Sequence, residues 1–161
     1  MKLIRLLTLG AAAGAFAQFA SAATISVTYS EDFAEELVEE YGEREGERLS
    51  AMIIGDLEQE MERESASVAR IAVTIEDAKP NRPTFEQLSA RPGLDPIRSI
   101  SIGGMKLSGV AFDDDGNEVA TMEYDWFSNN IRDSVGTSTW WDARRASDRF
   151  ADRLVKELMA E

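Results

Sequence analysis

The feature that most constrains this chain is a pair of long alternating segments joined by a tight acidic turn. Residues 97–102 and 105–112 precede the turn at 113–117, and residues 118–127 follow it. Apolar and polar side chains alternate along both arms, which is the two-residue period of a strand, and the Asp-Gly pair inside the turn favours a chain reversal. The sequence therefore predicts a central β-hairpin that the other elements extend and cover.

Two details of this hairpin lead to further expectations. Gly103 and Gly104 interrupt its first arm, and glycines inside a strand pattern indicate a bulge or a sharp bend. Both faces of the hairpin carry some apolar residues, so we expect its outer face to be partly covered as well.

The remaining chain supplies two more strands and two helical regions. Alternation and β-branched residues predict strands at 24–29 and 68–76, and apolar residues three and four apart predict helix over 31–64 and again from Thr139 onward. Residues 77–96 form the longest irregular stretch and hold all four prolines, with a short helical turn at 84–88. A loop of this length in a small domain is often functional.

The predicted order is β-α-β-β-β-α. We expect an α+β fold with a sheet of roughly four strands and the helices packed on one face. The strands at 24–29 and 68–76 are either parallel neighbours or bracket the hairpin, and the pattern does not choose between them. Gly42 and Gly46 interrupt the first helical region, which favours a break or a kink.

Charge is concentrated in that first helical region. Residues 31–64 contain fourteen acids and three arginines. The terminal helix instead carries arginines and a lysine opposite its apolar stripe, so we expect it to pack beside the acidic helix. The acidic field disfavours nucleic acid and anionic lipid. It suits a solvated surface, with a basic partner or weak cation binding as alternatives.

The first 22 residues have the pattern of a secretory signal peptide. Lys2 and Arg5 precede an apolar run, and Ala20-Ser21-Ala22 is an A-x-A cleavage site. The run is shorter than the ~20 residues that span a membrane, and no cysteine follows it for lipidation. We expect cleavage after Ala22 and an exported, periplasmic or secreted single domain over residues 23–161, without membrane insertion after cleavage.

The amino-acid composition excludes several kinds of catalytic and metal site. The chain has no cysteine and no histidine, which excludes disulfides, the usual zinc ligands and catalysis by Cys–His or Ser–His–Asp groups. No phosphate-loop or dinucleotide motif is present. The turn at 113–117 lacks the spacing of an EF-hand, so we expect a β-turn there, no metal and no cofactor. Carboxylates are the only remaining acid–base groups, and a pair such as Glu76 and Asp125 is an arbitrary choice among thirty acids.

Two groups of residues are candidates for interaction. The first is cationic and lies in or beside the proline-rich loop, where arginine suits a carboxylate or phosphate, or instead holds the loop by binding its acids and carbonyls. The second is aromatic, because two adjacent tryptophans at a helix start do not easily face one core, and exposed tryptophan suits a sugar or a protein. The candidates are Asn81, Arg82, Arg91, Arg98, Trp126, Trp140 and Trp141.

Three segments give the chain a family resemblance. Lys79-Pro80-Asn81-Arg82-Pro83-Thr84, the run at 93–99, and Thr139-Trp140-Trp141-Asp142-Ala143 before a terminal helix resemble uncharacterised exported proteins and lipoproteins of alphaproteobacteria. In topology alone the chain looks like small envelope domains that add a β-α-β-β-β-α unit to periplasmic assemblies. The resemblance implies an envelope location, although this chain lacks the lipidated cysteine of many such proteins.

These observations favour a non-catalytic exported domain that binds a partner, such as an envelope protein, or assists envelope assembly. One alternative is a small carboxylate-dependent hydrolase of envelope polysaccharide, which requires two acids facing each other in a cleft. The other is a scaffold protein without a specific ligand. The first expectation requires an exposed apolar or aromatic patch.

Overall fold

The computed structural model describes residues 23–160, so the predicted signal peptide at 1–22 lies outside the described residues. Four strands and four helices follow one another, with a π-helical turn after the first helix and a 3₁₀ turn before the last. Strands β1 to β4 are Thr24–Tyr29, Arg70–Lys79, Gly104–Phe112 and Glu118–Phe127. Helices α1 to α4 are Glu31–Glu36, Glu43–Glu64, Phe85–Ala90 and Trp141–Ala160. The π-helical turn is Leu37–Tyr41 and the 3₁₀ turn is Ile131–Ser134. None of the described helices combines the length and the apolar character needed to cross a membrane.

The four strands form one mixed sheet in the order β1-β2-β3-β4. β1 and β2 are parallel neighbours, and β3 and β4 continue the sheet in antiparallel pairing. The predicted α+β class with a four-stranded sheet is confirmed. The choice left open by the sequence is decided in favour of parallel neighbours, joined by α1 and α2 as the crossover that a parallel pair needs.

The core lies between one face of this sheet and helices α2 and α4. Val73 and Ile75 of β2 are buried on that face, and Gly109 of β3 pairs with Val73. A Cβ atom on Gly109 would lie 2.6 Å from Phe150 Cζ and 3.5 Å from Leu154 Cδ2. The absent side chain therefore lets α4 approach the sheet closely, which is how a strand glycine serves packing.

The opposite face of the sheet is covered by no described helix or strand. Its apolar rings are shielded by cations instead: the Arg70 guanidinium lies 3.7 Å from the Phe112 ring centroid, and Lys79 Nζ lies 5.3 Å from that of Phe127. Part of this face is therefore covered by cationic side chains and not by a further helix or strand. Long cationic side chains cover apolar surface with their stems and place their charge in water.

The acidic helical region breaks into two helices, as its glycines indicated. The Ser30 hydroxyl accepts the Phe33 N–H at 3.2 Å and begins α1. The helix then widens into the π-helical turn, and Gly42 ends it with a φ of 94°, in the region that favours glycine. Gly46 lies inside α2, where a Cβ would be 2.8 Å from Leu37 Cδ1. Only Gly42 breaks the helix, while Gly46 permits close packing.

Two predicted boundaries are wrong near the proline-rich loop. β2 continues to Lys79, and β3 begins only at Gly104, so residues 97–102 are irregular. Local hydrogen bonds explain the difference: the Asp95 carboxylate accepts the backbone N–H groups of Ile97 and Arg98 at 2.8 and 2.7 Å. This Asx-type turn competes with strand pairing, and period-two alternation alone does not detect it.

The acidic and basic helices pack together, but their main contacts differ from simple charge matching. α2 supplies the base and α4 the acid in the ion pair Arg63–Asp152 at 3.2 Å. Deeper in the contact, the Ser147 hydroxyl donates to Asp56 at 2.6 Å. Three arginines of α4 instead lie over aromatic rings of β4, Arg145 and Arg149 over Trp126 and Arg153 over Tyr124.

We expect Gly109→Ala to destabilise the protein by about 1–3 kcal/mol, because the added methyl group overpacks the contact with Phe150. Gly55→Ala is the matched control, since a Cβ there meets nothing within 4 Å. Removing a helix-interior glycine should instead stabilise α2 by about 0.5–1 kcal/mol. Denaturant unfolding of both variants measures the two changes, and a Gly109→Ala variant as stable as the parent would contradict this packing.

Candidate functional site

The described structure has an unusual polar centre at Asn81, which is fully buried. Its side-chain amide donates to Asp142 Oδ2 at 2.6 Å and to the Ser134 hydroxyl at 3.1 Å, while its Oδ1 accepts the Asp142 backbone N–H at 2.8 Å. The Asn81 backbone donates to Thr139 O and accepts from Ser101 N. One residue therefore joins the loop after β2, the loop before β3 and the start of α4.

Glycine is required beside this centre. A Cβ atom on Gly103 would lie 2.5 Å from Asn81 Oδ1, so any larger residue would displace the amide. The glycine pair that suggested a bulge therefore serves a close approach at Gly103. At Gly104 a Cβ would meet Trp126 O at 2.4 Å.

Arg82 binds the same loops through their backbone. Its Nε donates to Thr137 O and its Nη1 to Ile97 O, with Pro96 O at 3.4 Å. The planar guanidinium suits such multiple contacts. Arg82 therefore holds the loops by their carbonyl groups, which is the structural alternative weighed for it from the sequence.

A small cavity lies beside these loops, with a volume of about 280 Å³. The proline-rich loop forms most of its wall, and Tyr41 of the π-helical turn closes one side. Three of the lining residues are cationic: Lys79, Arg82 and Arg91. Arg91 also pairs with Glu40 of the π-helical turn at 3.2 Å, which ties the loop to the acidic helical region.

Carboxylates lie close to Tyr41 at one side of the cavity. Burial raises the pKa of Glu36, and the neighbouring Asp77 carboxylate raises it further. Burial together with Glu36 and Glu40 raises the pKa of Tyr41 to about 12. Glu36 Oε2 and Asp77 Oδ1 are buried without a hydrogen-bond partner in the described chain. Among the described residues, Glu36 and Asp77 resemble a catalytic acid–base pair more than other carboxylates near the cavity do. Neither residue lines the cavity.

Glu76 and Asp125, the pair of acids named from the sequence, are not buried beside another carboxylate in this way. Glu76 pairs with Lys106 at 2.6 Å on the open sheet face, and this hydrogen bond lowers the Glu76 pKa, the reverse of what a general acid needs. Asp125 lies across from Lys106 in the strand register. Among the described residues, no cluster of three or more carboxylates could hold a metal ion.

The three tryptophans occupy different environments. Trp140 donates through Nε1 to Glu45 at 2.7 Å and packs edge-on against Tyr41, with ring centroids 5.8 Å apart. Trp126 lies on the helix-facing side of β4 beneath arginines of α4. Trp141 is 44% exposed. The tryptophans therefore do not form one aromatic patch.

The cationic candidates are also divided by the structure. Arg82 and Arg91 reach the cavity, Asn81 is buried behind it, and Arg98 is not among the lining residues. The sequence did not identify two residues of this site. Lys79, predicted to be irregular, lines the cavity. Asp142, predicted to lie at a helix start, has a buried carboxylate that binds Asn81. No local pattern marked these two residues, because the partner of Asp142 is Asn81, which lies 61 positions earlier in the chain.

Exposed apolar side chains form the second feature of this region. Lys79, Gly104 and Phe127 lie in register at one end of the sheet, which we call the loop end. Eight large apolar residues are exposed among residues 23–160, and six of them belong to the two long loops at the loop end or to the helix termini that adjoin them. These six are Phe85, Ile97, Ile102, Ile131, Val135 and Trp141.

Comparison with protein-family models, with curated proteins and with solved structures gives no match to this chain.

We expect Asn81→Ala to cost about 3 kcal/mol of stability, because it removes the hydrogen bonds that Asp142 Oδ2 and the Ser134 hydroxyl receive in a buried site. Asn129→Ala is the control, an exposed position in the adjoining loop where a change within about 0.5 kcal/mol is normal. Thermal and urea unfolding measure both. A mild effect at Asn81 would show that the loops do not depend on this centre.

The raised pKa of Glu36 leads to a defined pH dependence. Because folding favours its protonated form, its contribution to stability is present below the unfolded pKa and is lost as pH rises through the folded pKa. Glu36→Gln should therefore raise Tm at pH 7 and have little effect at pH 4. Unfolding at several pH values checks this, and a Tm that falls at pH 7 in the variant would contradict it.

Proposed function

We propose that this chain is a non-catalytic binding or assembly-accessory domain of the bacterial envelope, exported by the predicted signal peptide. The observation that supports the proposal most is that six of the eight exposed large apolar side chains among residues 23–160 belong to the loops of the loop end or to the helix termini beside them. Exposed apolar surface concentrated in one region of a soluble protein is typical of a protein contact.

The loops that carry this surface are held in place before any partner arrives. Asn81 joins three segments and Arg82 binds the carbonyls of Ile97 and Thr137. Ile97 is 76% exposed although its carbonyl group is bound, and Val135 lies one residue after the 3₁₀ turn, close in sequence to Thr137. A surface ordered in advance loses little conformational entropy on binding, which favours recognition.

The cavity adds a site for one anchoring side chain. Its volume of about 280 Å³ is slightly below the range of typical small-ligand pockets. Ile100 and Ile102 supply an apolar wall, while Lys79 and Arg91 add positive charge. A partner side chain that is apolar in its stem and acidic at its tip matches this lining, in the manner of an interface anchor.

A carboxylate-dependent hydrolase of envelope polysaccharide is the second candidate, and one observation favours it. Glu36 has a raised pKa beside Asp77, the property expected of a general acid. We rank it lower because neither residue lines the cavity. A scaffold role without a ligand is disfavoured by the concentration of exposed apolar residues in and beside the loops that Asn81 and Arg82 order.

The loop end is tested by capture of partners from periplasmic extract on the immobilised mature chain. The variant Ile97→Asp/Val135→Asp places charge on two exposed loop residues. The control Val38→Asp/Met159→Asp makes the same change at exposed apolar residues on helical segments. We expect a partner that the parent and the control retain and that the loop variant recovers at least about tenfold less.

Equal recovery by both variants would remove the loop end as the binding surface. Absence of any retained partner would contradict the binding function, and release of sugars from purified cell-wall fragments, abolished by Glu36→Gln, would then support the hydrolase.

A further inference from the structure

β4 is an edge strand of the described sheet, because only β3 pairs with it. The Ser128 N–H donates to Gly103 O, and the register continues without a shift to Ala120. Antiparallel strands alternate between bonded and non-bonded pairs. The backbone groups of Thr121, Glu123 and Asp125 therefore point to the free edge, where no described residue binds them.

A row of three arginines lies along this edge. Arg145, Arg149 and Arg153 are four residues apart on α4 and so share one helix face. The Arg145 and Arg149 guanidinium carbons lie 5.2 and 4.7 Å from the Trp126 ring centroid, and that of Arg153 lies 4.9 Å from the Tyr124 centroid. Stacking on a ring occupies the faces of a guanidinium and leaves its N–H groups available at the rim.

These cations are poorly neutralised in a chain of net charge −13. Within residues 23–160, Arg145 has one carboxylate partner, Asp142, at 3.7 Å, and neither Arg149 nor Arg153 has a carboxylate within 4.0 Å. The acids of α2 do not compensate for them, since the ion pair between α2 and α4 uses Arg63 and Asp152. The row is thus a local positive surface in an acidic protein.

We propose that the free edge of β4 binds an extended acidic segment of a partner protein as an added strand. The outward backbone groups supply the hydrogen bonds, and the arginine row binds acidic side chains on the helix-facing side. Glu123 and Asp125 lie on the other side of β4 and repel acids there. The fitting segment therefore has acidic residues at every second position, with neutral or basic residues between them.

The same charges disfavour other occupants of the edge. If two copies paired through β4, the arginine rows of both copies would lie on the same side of the joined sheet. Glu123 and Asp125 of both copies would lie together on the other side. Like charges across neighbouring strands are destabilising. Nucleic acid and anionic polysaccharide lack a peptide backbone to pair with the edge. This surface differs from the apolar loop surface of the proposed function and does not depend on it.

The test uses two labelled ten-residue peptides of equal composition: one alternates Glu and Thr, and the other has five Glu followed by five Thr. We expect the alternating peptide to bind at least about tenfold more tightly in fluorescence anisotropy at low salt. Bound peptide should slow hydrogen exchange of the outward amides of Thr121, Glu123 and Asp125.

Variants separate the contribution of the arginine row from that of the outward backbone groups of β4. Arg149→Gln/Arg153→Gln should weaken binding of the alternating peptide at least about tenfold, and Arg98→Gln, an exposed arginine of the proline-rich loop, should leave it unchanged. Thr121→Pro removes one outward N–H at an edge position that tolerates proline and should also weaken binding. If that variant does not fold, exchange at the parent's edge amides decides the same point.

Equal affinity for the two peptides, absence of binding, or binding that resists the arginine changes would each overturn the proposal. Self-association through β4, detected by sedimentation and lost in Thr121→Pro, would also overturn it.

Discussion

The buried hydrogen bonds between Asn81 and Asp142 hold together the end of this protein that carries its candidate sites. A side chain from the loop after β2 meets the start of α4, and Ser134 and Ser101 complete the contact. Buried polar groups of this kind are costly unless they are paired, so the arrangement specifies one conformation of the loops. The Arg82 contacts with the Thr137 and Ile97 carbonyl groups and the Arg91–Glu40 ion pair add to this order.

Close approach determines much of the remaining structure. Gly103 makes room for the Asn81 amide, Gly109 for Phe150, and Gly46 for Leu37 and Tyr29. Each contact joins a different pair of elements, and together they bring loop to loop, helix to sheet and helix to helix. Because these contacts are tight, a larger side chain at any of these glycines is expected to overlap its neighbours and destabilise the fold.

Charge is arranged by stacking as much as by ion pairing. Arg70 covers Phe112 on the open face, and Arg145 and Arg149 cover Trp126 on the other. The arginines of α4 thereby protect aromatic surface at an edge strand, where exposed rings and unpaired backbone groups invite non-specific association. The same placement leaves cationic groups beside free backbone groups, and the proposed strand addition rests on this arrangement.

The sequence by itself determined the α+β class, the hairpin turn and the break in the acidic helical region, because two-residue and 3.6-residue periods and glycine punctuation are local signals. It also singled out Asn81, Arg82 and Arg91. Only the tertiary structure decided that β1 and β2 are parallel neighbours, that residues 97–102 leave the strand, and that Arg82 binds carbonyl groups. These outcomes depend on partners far apart in the chain, such as Thr137 for Arg82, and no local pattern encodes such distances.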